Sequence, residues 1–220
     1  MVEQRNSNCW YIDTCNENCD KCVIYTQLKW QMDNSGLYPA QQKPIKLFIT
    51  DNNREDRNSY IQLSRIRESI VQFVEEHKNL YICGKNAGNG KTSWAIRMLH
   101  TYFHYCCEGN YENLLGMFVN TTDLLLKLKD FNNPLSAKYL HNLENVDLVV
   151  FDDVGITGLS QYDYTQFFNI INKRMMAEKS NIFTSNITTL EELEEIFGSR
   201  LASRIYTASE IIELKGMDMR

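Results

Sequence analysis

A glycine-rich segment followed by lysine and threonine carries the clearest chemistry in the sequence. Residues 84–92 read Gly-Lys-Asn-Ala-Gly-Asn-Gly-Lys-Thr and lie between an apolar run at 80–83 and a helical pattern at 92–105. Glycines in such a turn let consecutive backbone N–H groups point at phosphate oxygens, and the following helix N-terminus adds positive potential. The segment therefore predicts a P-loop that binds a nucleoside triphosphate.

Two side chains of this loop have expected roles in the chemistry. We expect Lys91 to contact the β- and γ-phosphates and the Thr92 hydroxyl to hold Mg²⁺. The residues expected to bind the nucleotide are contiguous in the chain: Asn86, Ala87, Gly88, Asn89, Gly90, Lys91, Thr92 and Ser93.

The first glycine of the loop departs from the usual spacing. Five residues separate Gly84 from Gly90, whereas the usual pattern has four, and Lys85 stands where that glycine is expected. Either the turn is one residue longer, or position 85 is one where glycine is common without being required. A glycine-rich turn without a ligand is the alternative interpretation. The intact core at 88–92 favours nucleotide binding.

Acidic and polar side chains follow two later apolar runs. Asp152 and Asp153 come directly after the run at 148–151, and Asn186 follows a short predicted strand at 181–184. A P-loop nucleotidase needs a carboxylate beside the loop to orient Mg²⁺, a role we assign to Asp152. Asp153 is the candidate for polarising the attacking water, and Asn186 is the candidate sensor of the γ-phosphate. A strand that merely ends in a solvated acidic turn is the alternative.

Apolar patterns indicate how these residues are positioned. Short apolar runs, typical of strands, alternate with segments of helical periodicity from residue 45 onward. Such alternation predicts an α/β fold with a parallel sheet between two helical layers. The predicted strands are 80–83, 114–119, 146–151, 181–184 and 211–214.

Four cysteines crowd the N-terminal part of the chain: Cys9, Cys15, Cys19 and Cys22. Their number and the Cys-x2-Cys pair predict a Zn²⁺ site, because so short a segment cannot build an apolar core. Loosely packed free thiols are the alternative. A polar stretch with turn residues follows, so we expect a zinc module and linker at 1–44 and an ATPase domain at 45–220.

Composition limits the classes of partner and compartment. The formal net charge of −5 favours a protein partner or a localised DNA contact over broad binding to duplex DNA. No apolar stretch approaches the length of a membrane span, and no apolar signal-peptide core is present near Met1. We therefore expect a cytoplasmic protein, in the host cytoplasm if it is phage-encoded.

The order of these motifs resembles that of AAA+ helicase loaders of the DnaC/IstB type, which include phage-encoded members. Residues 145–155 look like the Walker B segment of that family, and residues 184–186 look like its sensor 1. Residues 198–204 resemble its box VII, and residues 216–220 its terminal Gly-x-Asp-x-Arg. The resemblance extends from about residue 60 to residue 220.

The resemblance implies an ATPase without a C-terminal lid that assembles into a homo-oligomer on ATP binding. Arg204, rather than Arg200, is then the arginine that enters a neighbouring subunit's ATP site; pairing with Glu194 or Glu195 is the alternative. It also implies a single-stranded DNA track formed by residues of 121–142, namely Lys127, Lys129, Lys138 and Tyr139, although residues of these types more often form a solvated helix face.

The implied function is ATP-dependent delivery of a replicative helicase onto single-stranded DNA during initiation of replication. The 1–44 segment, with aromatic residues such as Trp10 and Trp30, is the expected helicase-recruiting part. A transposition helper of the IstB kind shares the same motifs. An ATP-gated adaptor that does not hydrolyse ATP is a further alternative, because Asp153 is shorter than the usual glutamate.

Overall fold

A computed structural model describes residues 22–107, 113–129, 134–155, 158 and 160–217. Cys9, Cys15 and Cys19 lie outside these residues, so the zinc site stays a prediction. Within the described residues, none of the helices has both the length and the apolar character required to cross a membrane.

Five parallel strands form one sheet in the order β2-β3-β4-β1-β5. Every strand expected from the sequence is present, and its ends differ from the expected ones by at most two residues. The strands are β1 (Asn79–Cys83), β2 (Gly116–Asn120), β3 (Leu148–Asp152), β4 (Ser180–Ser185) and β5 (Glu210–Glu213).

Helices cover both faces of the sheet, which confirms the predicted three-layer α/β architecture. One face packs against α1 (Val23–Asn34), α2 (Arg57–Glu68), α3 (Ile70–Glu75) and α4 (Lys91–Cys106). The other packs against α5 (Thr121–Leu128), α6 (Pro134–Asn145), α7 (Gln161–Met176) and α8 (Leu190–Ala202). A 3₁₀ segment, Asp51–Asp56, precedes α2, and a π-helical turn, Ser203–Thr207, follows α8.

Alternate side chains of each central strand enter the two opposite cores. In β1, Leu80 and Ile82 belong to the core under α4, whereas Tyr81 and Cys83 belong to the core under α7 and α8. Both sets have to be apolar, which explains why these strands read as continuous apolar runs without alternation.

Helix α1 packs into the same core as the ATPase elements. Leu28 and Met32 of α1 are buried in the cluster formed with α4. The Gln31 side chain donates to the Asn113 carbonyl at 2.8 Å and accepts from the Leu115 N–H at 2.9 Å, at the entrance to β2. The α1 portion of the 1–44 segment is therefore joined to the α/β unit, a contact that the linker-like composition did not indicate.

Arg174 of α7 is fully buried and lies at the amino-terminal ends of β3 and β4. Its guanidinium donates to the Asn181 side chain at 2.6 Å and to three carbonyls at 2.7–2.9 Å, those of Leu143, Val146 and Ser180. This one side chain thereby joins α6, α7, β4 and the turn before β3.

Replacing Arg174 should therefore cost much of the fold's stability. Arg174→Met leaves four acceptors without their donor, so we expect the free energy of unfolding to fall by about 3 kcal/mol or more in urea denaturation. The neighbouring Lys173→Met is the control, because Lys173 pairs with Glu144 on the exposed surface, and it should change stability by less than about 1 kcal/mol. Equal effects of the two substitutions would contradict the role given to Arg174.

Candidate nucleotide-binding site

A cleft of about 630 Å³ opens at the carboxyl ends of β1, β3 and β4. This is the edge where ligands bind in open parallel sheets, because loops and helix N-termini converge there. Its walls come from four places: residues 87–93 of the loop, residues 45–48 with Thr50, Asn120 at the end of β2, and the polar residues Asp152, Asp153, Thr184 and Asn186.

Lys91 lies at the base of the loop with its side chain turned inward. The ammonium donates to the carbonyls of Gly84 and Asn86 at 2.8 and 3.0 Å and to Asn89 Oδ1 at 3.0 Å. Burial is the largest cause of a lowered Lys91 pKa, and the negative charges of Asp153 and Asp152 oppose that shift. Lys91 thus presents a cation on the wall of a cleft that also contains helix α4's N-terminus.

Asp152 is the meeting point of the site's polar contacts. Its Oδ1 accepts hydrogen bonds from the hydroxyls of Thr92 and Thr184, both at 2.7 Å. Its main-chain carbonyl accepts from the Thr121 hydroxyl at 2.8 Å, and the Thr184 hydroxyl also accepts from the Asp153 N–H at 2.9 Å. The two predicted Mg²⁺ ligands, Thr92 and Asp152, are therefore already in contact.

The chemistry of this pair fits a magnesium ion. Mg²⁺ takes oxygen ligands, and a threonine hydroxyl with one carboxylate and nucleotide phosphates is a common set in P-loop sites. Burial raises the pKa of the Asp152 carboxyl, whereas the hydrogen bonds from Thr184 and Thr92 lower it. These two hydroxyls therefore favour the ionised carboxylate that a cation requires.

Asp153 and Asn186 face each other across the outer part of the cleft. Asp153 has a left-handed backbone conformation, with φ of 58°, which aspartate tolerates better than most residues. The Asn186 side-chain amide lies 3.5 Å from Asp153 Oδ1. The candidate water-polarising carboxylate and the candidate sensor are thus neighbours, as the order of the motifs predicts.

The structure resolves the unusual spacing of the first glycine. Lys85 has an exposed side chain, 3.6 Å from Glu192, and its φ is not positive, so this position does not need glycine. Gly84 has a φ of 157°, and a Cβ there would lie 2.0 Å from the Leu214 carbonyl oxygen. Glycine at 84 is required by the approach of the segment after β5, and the phosphate loop proper begins after it.

One wall of the cleft was not identified from the sequence. Residues 45–48 and Thr50 lie beside the P-loop, and the partly buried Ile45 and Leu47 pack on the core while Phe48 remains exposed. An apolar wall beside a phosphate loop suits the base of a nucleotide. The only signal in the sequence is the apolar alternation of 45–49, which also fits an ordinary strand.

Two predicted site residues lie away from the cleft. The Asn86 side chain points to the end of the described chain and donates to the carbonyls of Lys215 and Gly216 at 2.8 and 3.2 Å. Arg204 lies in the π-helical turn, where its Nε donates to Asn172 Oδ1 at 3.0 Å. Neither side chain lines this chain's own cleft, so an action of Arg204 on ATP would have to be on another subunit's site.

Cys22 and His100 are residues of types that can bind metal ions. Cys22 is a free thiol that caps α1, with its Sγ accepting the Tyr25 N–H at 3.4 Å. Within the described residues, no three His, Cys, Asp or Glu side chains are grouped so that they could hold a metal ion. His100 is fully buried on α4, and burial lowers its pKa to about 4, in agreement with a neutral packing residue.

Comparison with known sequences identifies a family for most of the chain. Residues 56–220 match the profile of a family described as IstB-like ATP binding protein. The replicative helicase loader DnaC of Escherichia coli K12 is 25% identical over 146 residues, which are 65% of this chain and 56% of that protein. The chain thus matches little more than half the length of this curated relative.

Solved structures show the same architecture. A DnaC helicase loader has a TM-score of 0.62 and 26% identity, with 76% of this chain and 94% of that chain covered. DnaI superimposes with a TM-score of 0.57 at 23% identity, covering 80% of this chain and 88% of its own. DnaA of Aquifex aeolicus, bound to AMPPCP, has a TM-score of 0.58 at 20% identity over 76% of this chain and 48% of its own.

The inward position of Lys91 gives a direct test of the site. Two lysines line the described cleft, Lys46 and Lys91, and Lys91→Ala removes the one that is buried and bonded to the loop. We expect the dissociation constant for a fluorescent ATP analogue to rise about 30-fold or more. Lys85→Ala, in the same loop but with an exposed side chain, is the matched control and should leave binding unchanged. Equal binding by both variants would exclude this cleft as the ATP site.

Proposed function

Because the chain belongs to the IstB-like ATP-binding family, whose domain is an AAA+ ATPase, we propose that it loads a replicative helicase onto single-stranded DNA. The observation that carries the proposal is the likeness to the DnaC helicase loader over nearly all of that solved chain, at 26% identity. The nucleotide cleft described above supplies the ATP-dependent part of such a cycle.

The chain's own residues divide the ATP chemistry among them. Lys91 and the loop N–H groups bind phosphate, and Thr92 with Asp152 would hold Mg²⁺, which neutralises charge developing on the phosphates. Asp153 orients and polarises the attacking water, and Asn186, 3.5 Å from it, reports the γ-phosphate. Because aspartate reaches less far than glutamate, we expect slow turnover that depends on assembly.

Arg204 supplies the part of the site that one chain lacks. Its guanidinium lies 4.9 Å from the Phe168 ring centroid, and Asn172 and the Arg200 carbonyl hold it at the α7 surface. Arg200 is exposed. A prepositioned, partly exposed guanidinium outside its own cleft suits an arginine that enters a neighbouring subunit's ATP site, so we propose a homo-oligomer that forms on ATP binding.

Helicase recruitment is assigned to the N-terminal segment. Val23 and Trp30 of α1 have exposed side chains, and a zinc-stapled module formed by the four cysteines would present a rigid face. Deletion up to residue 44 would also remove the buried Leu28, Met32 and Leu37. A deletion ending before Cys22 therefore separates recruitment from folding.

The proposed DNA contact lies on α5 and α6. Lys127 Nζ lies 4.5 Å from the Tyr139 ring centroid, and Lys129 pairs with Asp163 at 3.3 Å, whereas Lys138 is exposed. Two of the three lysines thus have partners within the chain. We propose that this surface meets single-stranded DNA through a small number of phosphate contacts, which agrees with the acidic net charge.

A transposition helper is the second candidate, since the matching family is described as IstB-like ATP binding protein. Both candidates share the ATP site, and only the partner differs: a replicative helicase for one, a transposase for the other. An adaptor that binds ATP without hydrolysis would differ in having no ATP turnover even in the assembled state.

Mixing two inactive variants tests the shared site. Arg204→Ala should bind ATP but not hydrolyse it, whereas Lys91→Ala should bind ATP only weakly and still offer its arginine. A mixture should regain part of the wild-type turnover, because some interfaces combine a sound cleft with a sound arginine. Absence of any regained activity at every ratio, in subunits shown to co-assemble, would contradict action of Arg204 on a neighbour.

Helicase loading itself is tested with the full chain and a chain that starts at Cys22. The full chain should retain the host replicative helicase in a pull-down and increase its unwinding of a DNA coated with single-strand-binding protein, in an ATP-dependent way. The shortened chain should bind ATP equally and lose helicase retention. Retention of a transposase instead would favour the transposition helper, and full helicase retention by the shortened chain would place recruitment on the ATPase domain.

A further inference from the structure

Asn89 is fully buried within the P-loop and bonded at both ends of its side-chain amide. Its Oδ1 accepts from Lys91 Nζ at 3.0 Å, and its Nδ2 donates to the Leu214 carbonyl at 2.8 Å. The side chain thus joins the phosphate-facing lysine to the segment that follows β5. The sequence suggests only backbone contacts to phosphate for this loop, whereas the Asn89 side chain makes two hydrogen bonds inside the protein.

The surrounding backbone is shaped to admit this contact. A Cβ at Gly84 would lie 2.0 Å from the Leu214 carbonyl oxygen and 2.6 Å from Asn89 Nδ2. Gly84 therefore has no side chain because the Asn89–Leu214 hydrogen bond passes through that space. The Leu214 N–H in turn donates to the Cys83 carbonyl at 2.8 Å, which fixes the acceptor relative to β1.

The segment after β5 is itself anchored by Asp56. Asp56 is buried, and its two carboxylate oxygens accept from the Lys215 and Gly216 N–H groups at 2.6 and 2.9 Å. This anchor lies before α2 and does not touch the P-loop. The Leu214 carbonyl is therefore a fixed point against which Asn89 can orient its oxygen.

We propose that Asn89 is a positioning residue that aims Lys91 at the phosphates of ATP. An ammonium has three N–H donors, and Lys91 directs them to Gly84, Asn86 and Asn89. Lys91 can turn donors to phosphate only by releasing loop oxygens. Of the three acceptors, only the Asn89 oxygen belongs to a side chain, and that side chain is hydrogen-bonded to the Leu214 carbonyl. We expect the hydrogen bond from Lys91 to Asn89 to persist when ATP binds, so that it fixes the direction of the other two N–H donors. Such preorganisation lowers the cost of ordering the lysine on binding.

The first test is Asn89→Leu, which keeps the number of side-chain heavy atoms and the branching at Cγ and removes both hydrogen bonds. We expect the ATP dissociation constant to rise about tenfold, as for loss of a buried hydrogen bond to a charged group. Turnover at saturating ATP should fall by less than about threefold, because Asn89 contributes to binding and not to the hydrolytic step. Asn89→Ala gives the same comparison if the leucine variant does not fold, and an unchanged dissociation constant in the folded variant would overturn the proposal.

The second test separates aiming of Lys91 from simple support of the loop. In a Lys91→Met background the Asn89→Leu substitution should change nucleotide affinity by less than about twofold, because the residue through which it acts is gone. A tenfold loss that persists there would overturn the proposal in favour of loop support. Asp56→Asn loosens the anchor of the Leu214 carbonyl without touching Lys91, so it should also weaken ATP binding, and by less than about twofold once Lys91 is methionine. A loss from Asp56→Asn that is equal in the two backgrounds would also overturn the proposal. The inference rests on ATP binding alone, so wild-type affinity is its reference and the result is independent of helicase loading.

Discussion

Asp152 is a buried carboxylate on which the P-loop helix and two neighbouring strands converge through hydrogen bonds. Burial raises the pKa of its carboxyl, and the hydroxyls of Thr92 and Thr184 oppose the shift by donating to it. The donors come from the first turn of α4 and from β4, the strand next to β3. The hydrogen bonds that favour the carboxylate therefore form only where the P-loop helix and two neighbouring strands are packed together.

This constraint also orders the outer part of the site. The Thr184 hydroxyl donates a hydrogen bond to the Asp152 carboxylate and accepts one from the Asp153 N–H. The turn that follows β3 is thereby fixed with Asp153 in a left-handed conformation, facing Asn186. A single threonine thus links the expected metal-binding carboxylate to the expected water-polarising one, and a change at Thr184 reaches both.

The opposite wall of the site depends on the end of the described chain. Asn86 and Asn89 of the P-loop bond to carbonyls of 214–216, and Asp56 binds two N–H groups of the same segment. The resemblance marks this region only as a terminal motif. In the fold, the carbonyls of residues 214–216 accept hydrogen bonds from the phosphate loop. The nucleotide site is therefore built from residues that lie more than a hundred positions apart in the chain.

Local signals were sufficient for the chemistry and for most elements. Each of these signals involves residues close together in the chain: the glycines before Lys91, the two acids after an apolar run, and the N-cap residues Asn120 and Ser160. The sequence alone therefore predicts the P-loop, the acidic strand end and the α/β class. The neighbouring strands were not predictable in the same way, because a buried parallel strand is apolar on both faces and carries no mark of its partner.

What only the tertiary structure decided are the contacts between distant segments. The composition of residues 23–38 suggests a module and linker, yet burial of Leu28 and Met32 against α4 makes α1 part of the ATPase core. Gly84 reads as the first glycine of a phosphate loop, yet the approach of Leu214 is what excludes a side chain there. Periodicity and spacing report on neighbours along the chain, whereas these residues are determined by atoms brought close only by folding.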